Sequence, residues 1–134
     1  MKGNNKMESL DAVLKISKKI RLLYVEDNEI ARESTLGLLS NIFTDITIAV
    51  DGEDGLNKFM QDKIKYDLII SDMNMPNMDG EKMITKIQEL DSTINIFVLS
   101  AHNEIDKNLI DKVQAYLPKP IDFMKLLKEI KSNF

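Results

Sequence analysis

Short apolar runs alternate with longer amphipathic segments along most of this chain, from Ile20 to Phe134. The apolar runs are nearly continuous and rich in leucine and β-branched residues, as expected for parallel strands that are covered on both faces. Because proline cannot donate a hydrogen bond to a β-ladder, Pro118 places the last run at an edge of the sheet. The predicted strands cover residues 20–25, 46–50, 68–71, 95–100 and 115–118.

A helix is predicted after each strand, because apolar residues recur there at helical spacing. Asn28 stands just before the first such stripe as a candidate N-cap. The five stripes are Ala31, Thr35, Leu38, Leu39 and Ile42, then Leu56, Phe59, Met60 and Ile64, then Met83, Ile84, Ile87 and Leu90, then Ile105, Leu109 and Val113, and finally Phe123, Leu126, Leu127, Ile130 and Phe134. Five βα units in series predict an α/β protein with a doubly wound (βα)5 three-layer fold. Its parallel five-stranded sheet is predicted to have the strand order 2-1-3-4-5.

Residues 1–19 precede this pattern. Within them, Leu10, Val13 and Leu14 form a short apolar stripe. The stripe is consistent with one or two turns of helix, and the alternative is a disordered segment. The chain is therefore divided into an N-terminal extension, residues 1–19, and one domain, residues 20–134.

The composition fits a single soluble domain. The chain has 134 residues, of which 43% are apolar and 30% are charged, and this balance is typical of globular proteins. No apolar run approaches the ~20 residues that span a membrane, and the N-terminus has no apolar segment of a secretory signal. The absence of cysteine excludes disulfides and thiolate metal sites and fits a reducing compartment. We therefore expect a cytoplasmic protein without membrane contact.

Charge is distributed unevenly along the chain. Residues 1–21 have six Lys or Arg against two Asp or Glu, whereas residues 22–134 have twelve against twenty. A domain with a balance of −8 is a poor nucleic-acid binder, so no direct binding of nucleic acid is expected. The basic start is interpreted as a solvated tail.

Three carboxylates stand where apolar runs end. Glu26 and Asp27 follow the first run, and Asp72 follows the third. In a doubly wound sheet the first and third strands are neighbours with their carboxyl ends at one edge, so these acids should share a small volume. Clustered carboxylates repel one another unless a cation intervenes, and Mg²⁺ prefers hard oxygen ligands. The pattern predicts a magnesium-dependent phosphoryl site in which Asp72 becomes phosphorylated.

Ser100 and Lys119 end the fourth and fifth apolar runs. The serine hydroxyl can donate a hydrogen bond to a phosphoryl oxygen, and the lysine ammonium can pair with one as a point charge. Taken alone, each residue has an ordinary structural explanation. Together with the acids, they predict an anion cradle opposite Asp72.

The chain resembles a two-component response-regulator receiver domain of the chemotaxis type, which has a flavodoxin-like fold. The resemblance extends over residues 20–134 and rests on a combination of short motifs. The matching residues are Glu26-Asp27, Asp72 with Met75-Pro76 and Asp79-Gly80, Ser100-Ala101, and Lys119-Pro120. The departures are small: Ser100 stands where threonine is commoner, and Gln114 stands where the family often has glycine.

The resemblance implies that Asp72 accepts a phosphoryl group from a sensor histidine kinase or a phosphotransfer protein. It implies that Mg²⁺ is held by the carboxylates of Asp27 and Asp72 and the backbone carbonyl of Asn74. Glu26 would be in reach of the ion through water. Such a protein is not an enzyme in the usual sense. It is a phosphoacceptor switch with only intrinsic autophosphorylation and autodephosphorylation chemistry.

The resemblance also implies how the signal leaves the site. Ser100 would move toward the phosphate, and Tyr116 would rotate with it. This would change the face formed by the fourth predicted helix, the fifth strand and the fifth helix, and so control an output partner or domain that the sequence does not identify. The same face could support a phosphorylation-dependent dimer. Finally, the Lys119–Pro120 peptide bond is expected to be cis.

Two other functions compete with the switch. A phosphatase of the haloacid dehalogenase kind also uses a strand-end aspartate nucleophile, but it needs a second aspartate two residues later, where this chain has Asn74. A constitutive docking module would not need the acids, hydroxyl and lysine that are all present here. Two residues can each be interpreted in two ways. Tyr116 is either a rotating switch or an edge-strand aromatic, and His102 either contacts the phosphoryl group or faces solvent.

Overall fold

Five strands and five helices make up the described part of the protein. The computed structural model describes residues 2–61, 65–101 and 111–134, with side chains from residue 10 onward. The strands are β1 Arg21–Val25, β2 Asp45–Ala49, β3 Leu68–Asp72, β4 Asn95–Ala101 and β5 Ala115–Lys119. The helices are α1 Lys2–Ser17, α2 Glu29–Leu39, α3 Gly52–Gln61, α4 Gly80–Leu90 and α5 Phe123–Asn133.

The sheet has the predicted topology. All its strand pairs are parallel, and the strand order is β2-β1-β3-β4-β5. Each strand begins and ends within one residue of its predicted bounds. β5 is an edge strand, as Pro118 predicted, and Pro118 lies opposite Ser100 of β4.

Two apolar layers cover the two faces of the sheet, because successive side chains of each strand point to opposite sides. In β1, Leu22 packs into the layer beneath α1, α2 and α5, whereas Leu23 packs into the layer beneath α3 and α4. Both side chains are fully buried. The predicted three-layer arrangement is therefore confirmed. The helix predicted around Ile105 and Leu109 lies outside the described residues.

Side-chain caps fix where several helices begin. The Asn28 Oδ1 accepts a hydrogen bond from the Ala31 backbone N–H at 2.9 Å, which confirms the predicted N-cap of α2. Asp79 caps α4 in the same way through the Lys82 N–H. Such caps satisfy backbone donors that a helix leaves unpaired at its start. Both caps follow strands that end at the same edge of the sheet, so they also fix the loops at that edge.

The first helix packs on the last one. Val13 is only 5% exposed and belongs to the same apolar layer as Leu127 and Ile130 of α5. Ser17 is fully buried, and its hydroxyl donates a hydrogen bond to the Val13 carbonyl at 2.8 Å. The helix is thus anchored to the domain by side chains near its C-terminal end. The division of the chain at residue 20 stays a prediction.

The three tyrosines lie at different depths. Tyr24 of β1 is fully buried, and burial raises its pKa to about 12. Tyr66 is also buried, and its ring stacks on Phe59 with centroids 6.3 Å apart. Tyr116 of β5 is half-buried against the layer beneath α3 and α4. Among the described residues, no helix has both the length and the apolarity needed to cross a membrane.

Candidate functional site

The predicted acids meet at the carboxyl edge of the sheet. Glu26 and Asp27 directly follow β1, and Asp72 is the last residue of β3, the neighbouring strand. One carboxylate oxygen from each of the three residues lies within 4.8 Å of the others. Glu26 is only 1% exposed and Asp72 8%, whereas Asp27 is more accessible. The sequence-based grouping of these acids therefore matches their placement.

Lys119 bridges two of the acids. Its Nζ lies 3.0 Å from Glu26 Oε1 and 3.0 Å from Asp72 Oδ1. The lysine ends β5, and the Lys119–Pro120 peptide bond that follows is cis, as the resemblance implied. The sequence suggested Lys119 as a partner for a phosphoryl group, but it gave no sign of the pair with Glu26.

Burial and charge change the proton affinities of this cluster. Burial raises the pKa of Glu26, and the Asp72 carboxylate adds to this rise, while the hydrogen bond from Lys119 opposes it. For Lys119, burial alone would lower the pKa, but its hydrogen bonds to Glu26 and Asp72 together raise it. The ammonium therefore stays charged at neutral pH, so Lys119 supplies a fixed positive charge to the cluster.

The raised pKa of Glu26 predicts a pH-dependent cost to folding. An acid whose pKa is higher in the folded state binds more protons there, so stability falls as pH rises from the unfolded value of 4.5. The slope for one proton is at most about 1.4 kcal/mol per pH unit. In Mg²⁺-free buffer, we expect Glu26→Gln to become progressively more stable than the wild type as pH rises from 4.5, as measured by denaturant unfolding.

Glu33→Gln serves as the control for this experiment, because Glu33 lies on the exposed side of α2. Its difference from the wild type should not change over the same pH range. If the difference between Glu26→Gln and the wild type were also constant with pH, the raised pKa would be wrong.

The loop after β3 holds the Asp72 carboxylate in place. The Met73 backbone N–H donates a hydrogen bond to Asp72 Oδ1 at 2.8 Å, and the Gly80 N–H closes the loop onto the Met73 carbonyl at 2.9 Å. A Cβ at Gly80 would lie only 2.6 Å from the Asp72 carbonyl oxygen, so glycine is required there. Asn74, the predicted backbone ligand, lies within this loop and is exposed.

The two predicted switch residues lie on neighbouring strands. Ser100 is 8% exposed near the end of β4, one residue beyond the position opposite Asp72. Tyr116 of β5 lies opposite Val98, so the two switch residues are two positions apart across the β4–β5 pair. Alternation puts the side chains of Val98, Ser100 and Tyr116 on one face of the sheet. His102 lies outside the described residues.

Arg32 is a site residue that the sequence did not reveal. Its Nη1 donates hydrogen bonds to the backbone carbonyls of Glu26, at 3.0 Å, and of Asp27, at 3.4 Å. The guanidinium therefore ties the backbone of the acid pair to α2. An arginine on the first helix after two strand-end acids is the one signal that could have indicated this contact.

The donor set fits a hard divalent cation. Three carboxylates converge on a small volume, and the nearby ammonium of Lys119 offsets only part of their charge. Mg²⁺ usually binds through one or two carboxylates together with water and phosphate oxygens. The residues present are therefore suitable ligands for Mg²⁺ beside an anionic group.

Known proteins share this sequence pattern. The family model described as the response regulator receiver domain matches residues 22–131. The chemotaxis protein CheY of Treponema pallidum is 31% identical over 116 residues, which are 84% of this chain and 81% of that protein. The sensor protein EvgS of Escherichia coli is 33% identical over 109 residues. These residues are 79% of this chain but only 9% of that much longer protein.

Solved structures share the fold. A chain in the CheX–CheY–BeF3–Mg²⁺ complex of Borrelia burgdorferi superposes with a TM-score of 0.73 at 25% identity. The superposition covers 84% of this chain and 87% of that chain.

Proposed function

This chain belongs to the response regulator receiver domain family of two-component signalling, and from that premise we propose that Asp72 is its phosphoacceptor. The proposed donor is the phosphohistidine of a sensor histidine kinase or a phosphotransfer protein. A carboxylate oxygen of Asp72 attacks the phosphorus, a P–O bond forms as the P–N bond breaks, and the histidine ring leaves with its electron pair and takes a proton. The product is an aspartyl phosphate.

One observation carries this proposal: the Asp72 carboxylate is buried and already oriented. Its Oδ1 accepts hydrogen bonds from the Met73 N–H at 2.8 Å and the Lys119 ammonium at 3.0 Å. Phosphoryl transfer depends mainly on positioning and on neutralising charge. The fixed carboxylate supplies the positioning, and Lys119 supplies part of the charge neutralisation. Ser100, near the end of the next strand, is the proposed donor to a phosphoryl oxygen.

We propose Mg²⁺ as the cofactor. The proposed ligands are the carboxylates of Asp27 and Asp72 and the backbone carbonyl of Asn74, with Glu26 acting through water. When bound, the ion neutralises charge on the transferring phosphoryl group. The convergence of the three acid side chains supports this assignment.

Mass spectrometry with a small phosphodonor tests the function. With acetyl phosphate and Mg²⁺, the intact protein should gain the mass of one phosphoryl group, and hydroxylamine should remove it. Chelating the cation should prevent the gain. A protein that stays unmodified at every Mg²⁺ concentration would refute the proposed function.

We further propose that the signal leaves through Ser100 and Tyr116. The hydroxyl moves toward the phosphate, and the ring then occupies the space that the hydroxyl vacated, which favours one of two states. The responding surface comprises β5, α5 and the helix predicted between β4 and β5, and it would bind an output partner or a second copy of the chain. The placement of both side chains on one face of the sheet supports this route.

Hydrogen exchange with and without beryllofluoride tests this route. Protection should change in β5 and α5 as well as in the loop after Asp72. Changes confined to that loop would rule out this output surface. In this proposal the chain turns over no separate substrate, and its only chemistry is its own phosphorylation and dephosphorylation.

A further inference from the structure

The tip of the loop after Asp72 has a strained backbone. Asn77 has a φ of 66°, in the left-handed region that residues other than glycine rarely adopt. The Met78 N–H donates a hydrogen bond to the Pro76 carbonyl at 2.7 Å, which closes a three-residue γ-turn centred on Asn77. A γ-turn with a positive φ at its centre is rare and costs energy. Such strain persists only where surrounding contacts hold it, and it often occurs at functional sites.

Asp51 holds this turn from the neighbouring loop. Its Oδ2 accepts a hydrogen bond from the Asn77 side-chain Nδ2 at 2.7 Å. Its Oδ1 accepts one from the Asp54 backbone N–H, also at 2.7 Å, at the start of α3. Both carboxylate oxygens are thus engaged, so one side chain connects the start of α3 to the loop tip.

A backbone contact reinforces the connection. A Cβ at Gly52 would clash with the Met78 carbonyl oxygen, so the first residue of α3 lies directly against the turn. The loop is therefore held at two places, its base and its tip. Gly80 and Met73 hold its base, and Asp51 and Gly52 hold its tip. Asn74 lies between these attachments.

We propose that Asp51 and Asn77 are positioning residues for the cation. Their hydrogen bond fixes the strained turn and thereby the direction in which the Asn74 backbone carbonyl faces. This inference rests on the proposed function, in which that carbonyl is a Mg²⁺ ligand. It goes further by assigning a role to two residues outside the proposed ligand set.

Calorimetric titration with Mg²⁺ tests the proposal. Asn77→Asp leaves Asp51 free to cap α3 but sets two carboxylates against each other, so the bridge is lost. A lost hydrogen bond of this kind should weaken the Mg²⁺ Kd by about three- to tenfold. The rate of phosphorylation by acetyl phosphate should fall at limiting Mg²⁺ and recover to within about twofold at saturating Mg²⁺, since the bridge orients only a ligand of the ion.

Two further variants separate the bridge from other effects. Asn57→Asp adds the same charge at an exposed position of α3, and it should bind Mg²⁺ as the wild type does. In the double variant Asp51→Asn/Asn77→Asp, the hydrogen bond runs in the opposite direction and the net charge is restored. Its Kd should return to within about twofold of the wild type.

The outcomes are distinct. Recovery in the double variant supports the bridge. An unchanged Kd in Asn77→Asp overturns the proposal. A loss that the double variant does not recover also overturns it, because the change at the turn itself would then explain the loss. A wild-type protein that neither binds Mg²⁺ nor becomes phosphorylated refutes the proposed function, and this inference falls with it.

Discussion

Asp72→Asn should abolish phosphorylation by acetyl phosphate. The amide oxygen can still accept hydrogen bonds from the Met73 N–H and the Lys119 ammonium, so the fold and the loop should persist. The amide is not a nucleophile, however, so no acyl phosphate can form. Because one negative charge leaves a crowded cluster, the melting temperature without Mg²⁺ should rise. Intact mass and thermal unfolding measure the two effects.

Asp111→Asn is the matched control, since Asp111 is exposed and precedes β5 at the opposite edge of the sheet. This variant should gain one phosphoryl group as the wild type does. Complete, hydroxylamine-sensitive modification of Asp72→Asn would show that another residue is the acceptor.

Lys119→Ala should separate cation binding from phosphoryl transfer. Without its ammonium, Glu26 and Asp72 lose the cation that each contacts at 3.0 Å. A divalent ion no longer competes with the lysine for these carboxylates, so the Mg²⁺ Kd should become several-fold tighter. Phosphorylation at saturating Mg²⁺ should nevertheless slow by roughly 10- to 100-fold, because a hydrogen bond to a charged group contributes about 1.5–3 kcal/mol.

Titration calorimetry measures the Mg²⁺ Kd, and the time course of mass gain measures the rate of phosphorylation. Lys128→Ala, which removes an exposed lysine from α5, should leave both unchanged. If Lys119→Ala weakened Mg²⁺ binding, the lysine would be organising the acids for the ion, and the proposed competition would be wrong.

Local patterns predicted most of the architecture. The near-continuous apolar runs identified every strand of the described sheet, because parallel strands are buried on both faces and leave little room for polar residues. Pro118 identified an edge strand because its backbone nitrogen has no hydrogen to donate to a neighbouring strand. The grouping of Glu26, Asp27 and Asp72 followed from strand order alone, since parallel strands end at a common edge.

Contacts between distant side chains could not be predicted in this way. Lys119 and Glu26 are 93 positions apart, and Asn77 and Asp51 are 26 apart. Nothing in one sequence records which polar side chains reach each other across the sheet edge. The strain at Asn77 was equally hidden, because asparagine is common in ordinary turns as well. The helix over residues 2–17 was also left open, because its apolar stripe is short and the residues it packs against lie on α5, far along the chain.

The three tyrosines differ in burial, so the intrinsic fluorescence of the protein can report on one part of its structure. Tyrosine is the only strongly fluorescent residue type in this chain, which has three tyrosines and no tryptophan. Tyr24 and Tyr66 are shielded within the apolar layers, so a collisional quencher such as acrylamide reaches Tyr116 first. Steady-state quenching therefore gives a label-free signal from β5, the strand that ends in Lys119.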